Sequence, residues 1–568
     1  MGRRAGREHG LRRHAERGNG HGVDFQYDWR SSRAPPAEGA DAERHFVARH
    51  ADKITGILSG FDRLIFRGHL LPLCYESGVR AFLASQGVLL KDFGRYVEGV
   101  TGSIRDAATR VLERRGRPTR YLESSRTSKE QVAREFLAAE PIRSGPICML
   151  SAVEPCSSWR VWRSRAREHP QQVRRRSTKC LHNYTYFLDH DFGFMHVRVQ
   201  TWMPYTVQVY VNGREWLGRQ LDRARMSYIR SENCFPHLGD PERAQEIFDG
   251  MLRLPWARVL DDWLARANPT LAEMLQAAGL SYYWTIHQSE WATDIMFRDA
   301  SVLSSCYPNL VRHAMTDFDS RDVMRFLGRR LTRAYQGEII SDYKDRREGV
   351  RVKHLVGVNS LKMYDKAHCV VPIRGEMPAA LRIEFTMNDP SDFKVRRKAQ
   401  GDPDSASKPR PLRKGIADMR RRTRICQAAN ERYADALALA DDDTKVHEIV
   451  DPVTKPAQLA GRRVRALRPW ADPDLPLLQA ISRGEFLLGG FRNRDVLSLL
   501  FPDTPDTAEE RRKLSAKVTY LLRILRGHGV IEKVEGTHRY LVTQQGRCLI
   551  AAVLATNGAA INRLKQCA

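Results

Sequence analysis

The chain has 568 residues, of which 93 are Lys or Arg and 67 are Asp or Glu, for a formal net charge of +26. At roughly 100–200 residues per domain it divides into three or four domains whose cores need no covalent staples, and the positive excess favours polyanionic partners, nucleic acid first. The ten cysteines form no Cys-x-x-Cys pair, which excludes zinc-finger spacing and reads as reduced thiols; no apolar run approaches the ~18 residues of a membrane span, so a cytoplasmic protein without a membrane partner is expected.

Residues 1–44 are rich in Gly, Arg and Ala and lack apolar periodicity, the composition of a disordered basic tail. An N-terminal α/β region is expected over 45–178. It starts with strands broken by glycine at 54–68 and continues with helices at 93–115 and 127–139, a short strand at 119–122 and another at 146–153. Residues 160–176 hold seven Arg against one Glu, with Trp159 and Trp162 beside them. That run reads either as a phosphate-tracking segment with a stacking tryptophan or as a solvated loop.

An α+β core is expected over 179–443. Strands are expected at 183–188, 196–202 and 206–211, then a helix after the Asn212-Gly213 turn. Residues 214–280 read as helical, with Asp240-Pro241 and Asn268-Pro269 as helix starts. Strand character returns at 282–297, helices at 299–315 and 320–334, and a strand pair at 350–366 and 379–388. A loop is expected at 389–412 and a helix at 413–440. Residues 394–424 carry twelve Lys or Arg against three Asp, and 444–473, with four prolines, reads as a linker.

Residues 474–556 give the clearest local pattern. Two helices are followed by a third that opens at Thr507-Ala-Glu-Glu510, a capping-box sequence. Leu514, Val518, Leu521, Leu522 and Leu525 form its apolar stripe, Gly527 and Gly529 mark its end, and two short strands and a last helix follow. This is the order of a winged helix, and 522–533 resembles the recognition-helix-to-wing joint of MarR-like regulators. Such a module would offer DNA its Arg492, Arg494, Lys513, Ser515, Lys517, Thr519, Tyr520, Arg523, His538 and Arg539. Residues 557–568 read as a C-terminal tail.

Asn359-Ser-Leu-Lys-Met-Tyr-Asp-Lys366 and Leu381-Arg-Ile-Glu-Phe-Thr386 are expected to pair as strands, with Tyr364, Lys366 and Glu384 close together. The pair resembles a segment of rolling-circle replication initiators, where a Tyr-x-Lys strand is followed by an Arg-x-Glu strand. The resemblance implies a tyrosine that attacks a DNA phosphodiester, a carboxylate-held Mg or Mn ion, and a lysine that stabilises charge. Asp294, in a strand-like run, is the second candidate ligand. The His-x-His motif of many nicking enzymes is absent from the sequence.

The chain is also similar to an uncharacterised bacterial protein family that shares Phe61-Asp62-Arg63, Lys179-Cys180-Leu181-His182 and Gly490-Phe491-Arg492-Asn493-Arg494. The expectation is therefore a multidomain α+β, DNA-binding protein of a mobile element. Its mixed or antiparallel core would nick or process DNA, and a C-terminal winged helix would position it. The alternative is a homodimeric, MarR-like regulator without catalytic activity.

Overall fold

The computed structural model describes residues 46–47, 50–163, 171–316, 318, 320–329, 339–346, 349–366, 378–399, 402, 404–438, 446–483, 486, 490–502, 507–534 and 537–558. The expected tail at 1–44, the tip of the first basic run and residues 559–568 of the expected C-terminal tail lie outside them, while 557–558 end the last helix.

The fold is α+β, built on one mixed sheet. Its strands are β1 (Ile54–His69), β2 (Thr119–Leu122), β3 (Gly145–Arg163), β4 (Gln171–Asp189), β5 (Gly193–Gln200) and β6 (Val207–Asn212). After a separate hairpin of β7 (Tyr228–Ser231) and β8 (Cys234–Leu238) come β9 (Tyr283–Phe297), β10 (Ile339–Arg346), β11 (Gly349–Val356), β12 (Asn359–Lys366) and β13 (Ala379–Met387). The eleven-stranded order is β10-β11-β12-β13-β9-β1-β6-β5-β4-β3-β2. All neighbours are antiparallel except β2 and β3. The central pair β9 and β1 thus joins an antiparallel half, β10 to β9, to a half, β1 to β2, that is antiparallel up to its last strand.

The region expected as glycine-broken strands is a single strand, β1, of 16 residues. Its glycines do not end it. They let other elements approach: a Cβ on Gly60 would come within 2.0 Å of the Phe248 ring. Beyond Asp62 the strand alternates, with Leu64, Phe66 and Gly68 buried and Arg63, Ile65, Arg67 and His69 half-exposed. Two of its register breaks with β9 each leave one residue out of the pairing. Phe61 faces Trp291 and Arg63 faces Glu290, so Asp62 is an extra residue; Ile65 faces Gln288 and Phe66 faces Ile286, so His287 is another.

Helices start where capping chemistry places them. Asn212 accepts from the N–H groups of Arg214 and Glu215 at 2.9 and 3.0 Å, opening helix Gly213–Arg223. Asp240 and Asn268 cap helices Pro241–Asp249 and Pro269–Ala277, each with Pro at the first turn. The span expected as wholly helical, 214–280, nevertheless contains the β7–β8 hairpin. Likewise 350–366 is two strands rather than one, and the 389–412 loop carries a short hairpin of β14 (Lys394–Arg397) and β15 (Lys408–Pro411).

The two basic runs are not simple solvated loops. Residues on both sides of 164–170 belong to the long β3–β4 hairpin, where Trp159 is buried and Trp162 is exposed with Arg176 over its ring at 4.9 Å. From the second run, Arg422 on helix Met419–Leu437 is wholly buried. It donates to Ser289 Oγ and to the Met387 and Ile286 carbonyls at 3.0–3.2 Å, so it is a structural cation.

A separate apolar cluster forms the C-terminal module. It comprises helices Asp474–Ile481, Asn493–Leu500 and Ala508–Gly527, the strands β18 (Ile531–Lys533) and β19 (Tyr540–Val542), and helix Gln544–Gly558. The residues expected as a linker belong to it. Val450, Val453 and Leu467 are in its core, β16 (Ala457–Leu459) pairs with β17 (Arg462–Val464), and Arg465 grips Asp474 at 2.7 and 2.6 Å. Proline spacing reads as a linker because it reports only local stiffness, not the side chains that fold back.

Candidate metal centre

Three strands, β1, β9 and β13, carry carboxylates to one region of the sheet, and β12 brings a lysine to it. The register runs Arg63 (β1), Glu290 (β9), Thr386 (β13) and Ser360 (β12) in one row, and Ala292, Glu384 and Lys362 in the next. Directly opposed residues share a face, so Glu290 and Glu384 project together. The bulge at Asp62 re-aims its side chain to join them. One oxygen each from Asp62, Glu290 and Glu384 lies within 4.8 Å of the others, and all three residues are buried.

The group is heavily wired. Lys362 Nζ donates to Glu384 Oε1 at 2.6 Å and lies 3.8 Å from Glu290. Arg63 pairs with Glu290 through both Nε and Nη2. Arg382 donates to Asp62 Oδ2 at 2.6 Å and to Asp294 Oδ1 at 2.7 Å, and Arg214 takes Asp294 Oδ2 at 2.8 Å. Asp62 Oδ1, by contrast, is buried and has no hydrogen-bond partner among the described residues.

Electrostatics follow from this crowding. Burial, with Glu290 nearby, pushes Glu384 above the ordinary glutamate range, and Lys362 opposes that. Burial alone would depress Lys362, but Glu384, Tyr364 and Glu290 outweigh it and raise its pKa. The Tyr364 phenol is raised by burial and by Glu384, with Lys362 and Arg351 pulling the other way.

Of the residues expected from sequence, Glu384 is in the group and Tyr364 is one diagonal step away, opposite Arg382. Lys366 is not the lysine at Glu384. It pairs with Ala380, four residues along β12, and Lys362 takes the place expected for it. Asp294 is corrected too: both its oxygens are occupied by buried guanidiniums, so it works as a structural anion. Asp62 and Glu290 were missed. Their signal was a carboxylate inside an apolar strand, as in Ser289-Glu290-Trp291, but the pairing that unites them is remote in sequence.

The expected DNA-contact residues sit mainly on helix Ala508–Gly527 and around the β18–β19 hairpin. Arg494, Lys513, Lys517, Thr519, Tyr520 and His538 are exposed, while Arg492, Ser515, Arg523 and Arg539 are half-buried. Burial and the neighbouring Arg492, Arg396 and Arg494 depress the Arg539 pKa, which marks a concentration of positive charge there. Ser515 and Thr519 bond Asn493, bracing the second helix against the third.

No helix among the described residues is long and apolar enough to cross a membrane. The chain matches no protein-family model, no curated protein and no solved structure.

Proposed function

We propose that this is a DNA-binding protein whose core breaks a DNA phosphodiester with a divalent cation, positioned by a C-terminal winged helix. The observation that carries this is the unpartnered, buried Asp62 Oδ1 among three carboxylates gathered from three strands. Leaving a buried acceptor unmade is costly, and an all-carboxylate donor set suits hard ions such as Mg²⁺ or Mn²⁺.

Asp62, Glu290 and Glu384 would hold the cation, which would supply Lewis-acid polarisation of the phosphate, and Arg63 and Lys362 are placed to offset the charge that develops. Tyr364 is the nucleophile. Its Oη forms the bond to phosphorus, its proton passes to a carboxylate, and the leaving sugar oxygen departs with a proton from solvent. A phenol raised by its surroundings needs such a base. The +26 charge and the basic side chains of the C-terminal module supply strand affinity.

One observation favours the second reading, a regulator without catalysis. The four carboxylates Asp62, Asp294, Glu290 and Glu384 are matched by the four cations Arg63, Arg214, Lys362 and Arg382, as in a purely structural ion network. Incubation with supercoiled and single-stranded DNA and Mg²⁺ or Mn²⁺ separates the two. Nicks, with a covalent adduct lost in Tyr364→Phe, support the first; an inert protein that binds neither cation supports the second.

A further inference from the structure

A second polar cluster lies further along the same strands. Arg67, two alternations beyond Arg63 on β1, faces Gln208 on β6, which faces Arg198 on β5. The bulge in β9 brings His287 to this row, and its Nε2 accepts from Arg67 Nη2 at 3.2 Å. The Lys414 carbonyl accepts from the Ile286 N–H at 2.7 Å, which carries Lys414 to the same place. His69 ends β1, and Arg175 reaches in from β4 with its Nε on Ser157 Oγ at 2.7 Å.

The cluster is short of anions. Arg67 has no carboxylate partner among the described residues, and its Nε is buried without an acceptor. Glu154 is engaged by Arg198 and Lys129, and Asp389 lies 3.9 Å from Lys414 at the margin. Burial and Arg198 depress the Arg67 pKa; burial, Arg67 and Arg175 depress that of His69. Burial, then Arg67 and Lys414, push His287 down to about 4. A guanidinium held beside a neutral imidazole, with further cations around it, lacks the multi-oxygen anion that would satisfy it. A phosphodiester is such an anion.

We infer that Arg67, Arg198, His287, His69, Arg175 and Lys414 form a seat for a backbone phosphate of a DNA strand that runs on to the carboxylate group. Arg67 lies four residues from Arg63 along β1, roughly 13 Å at strand rise, so one strand can touch both. The inference rests on the reading of the core as a DNA-processing centre, but the seat needs no metal ion to bind.

The test uses the full chain in excess chelator with a fluorescein-labelled oligothymidylate, read by anisotropy between about 50 and 200 mM salt. Arg67→Gln is expected to bind roughly tenfold more weakly, with a salt slope shallower by about 0.7 for one lost single-strand phosphate contact. Arg175→Gln and Lys414→Gln, both exposed, are expected to weaken binding severalfold without altering the melting temperature, so a misfolded Arg67 variant would not decide the matter. Parent-like binding by all three overturns the seat. Inorganic phosphate titrated alone should bind far more weakly than the oligonucleotide; equal affinity would assign the cluster to free phosphate and overturn the strand seat. If the variants lose binding while the parent cleaves nothing with any cation, the seat stands and the cleavage reading falls. If the parent cleaves and the variants bind normally, the reverse holds.

Discussion

Arg382 donates to Asp62 Oδ2 at 2.6 Å and so fixes one oxygen of that carboxylate while Oδ1 keeps no partner among the described residues. Asp62→Asn preserves an acceptor for Arg382 but removes the charge a cation needs. Mn²⁺ affinity, measured by titration calorimetry, is expected to fall at least about tenfold, with the melting temperature little changed. Unaltered Mn²⁺ binding would mean that these carboxylates do not hold a cation.

Asp294 separates structure from chemistry in the same network. It lies wholly buried between Arg214 and Arg382, and also accepts from the Phe235 N–H at 3.3 Å. Asp294→Ala takes the carboxylate from buried Arg214 and one of the two from Arg382, which keeps Asp62, and is expected to destabilise the fold by about 3–5 kcal/mol. Urea unfolding of the variant measures this. A variant as stable as the parent that has lost only Mn²⁺ binding would return Asp294 to the ligand set.

The sequence shows strands and helices well wherever periodicity and caps agree. Asn212, Asp240 and Asn268 open helices as their capping chemistry dictates. It shows the site only in part. Alternation puts Lys362, Tyr364 and Lys366 on one face, but which of them meets Glu384 depends on register, and 367–378 says nothing about register. Asp62 and His287 are placed by bulges, and a bulge is a tertiary event without a local signature here. Glu290 meets Asp62 across 228 residues of chain, a separation over which no spacing rule operates.

Helix Ala508–Gly527 is the proposed reader of DNA, and its two faces give opposite expectations. Lys517 is exposed and Arg523 half-exposed, whereas Leu521 is 2% exposed in the module core. Lys517→Ala is expected to weaken binding to all sequences alike. Arg523→Ala should cost about 1–3 kcal/mol and relax specificity if it reads a guanine edge. Leu521→Ala should instead lower stability by about 2–5 kcal/mol. Gel-shift titrations beside thermal melts distinguish the three; surface variants that stay folded and bind as the parent does would move the reading surface to the hairpin or the core.

His354 gives the fold a pH dependence independent of any ligand. It is fully buried on β11, with Ser341 Oγ at 2.8 Å from Nδ1 and the Tyr433 hydroxyl at 2.9 Å from Nε2. Both hydroxyls can turn to serve a neutral ring, and no carboxylate among the described residues shifts its titration. Burial therefore pushes its pKa from 6.5 down to about 4. A base whose folded pKa is depressed takes its proton in the unfolded chain first. The stability it contributes is present above 6.5 and is lost as pH falls toward 4, about 3 kcal/mol in all. Buried His182, also held down to about 4 by burial and Arg198, acts in the same direction. Urea unfolding from pH 7 to 4.5 should show stability falling with acid. In His354→Gln the slope through that window should be smaller by about 1.4 kcal/mol per pH unit, the value of one proton. Parallel curves for parent and variant would mean that His354 does not bury as a neutral ring.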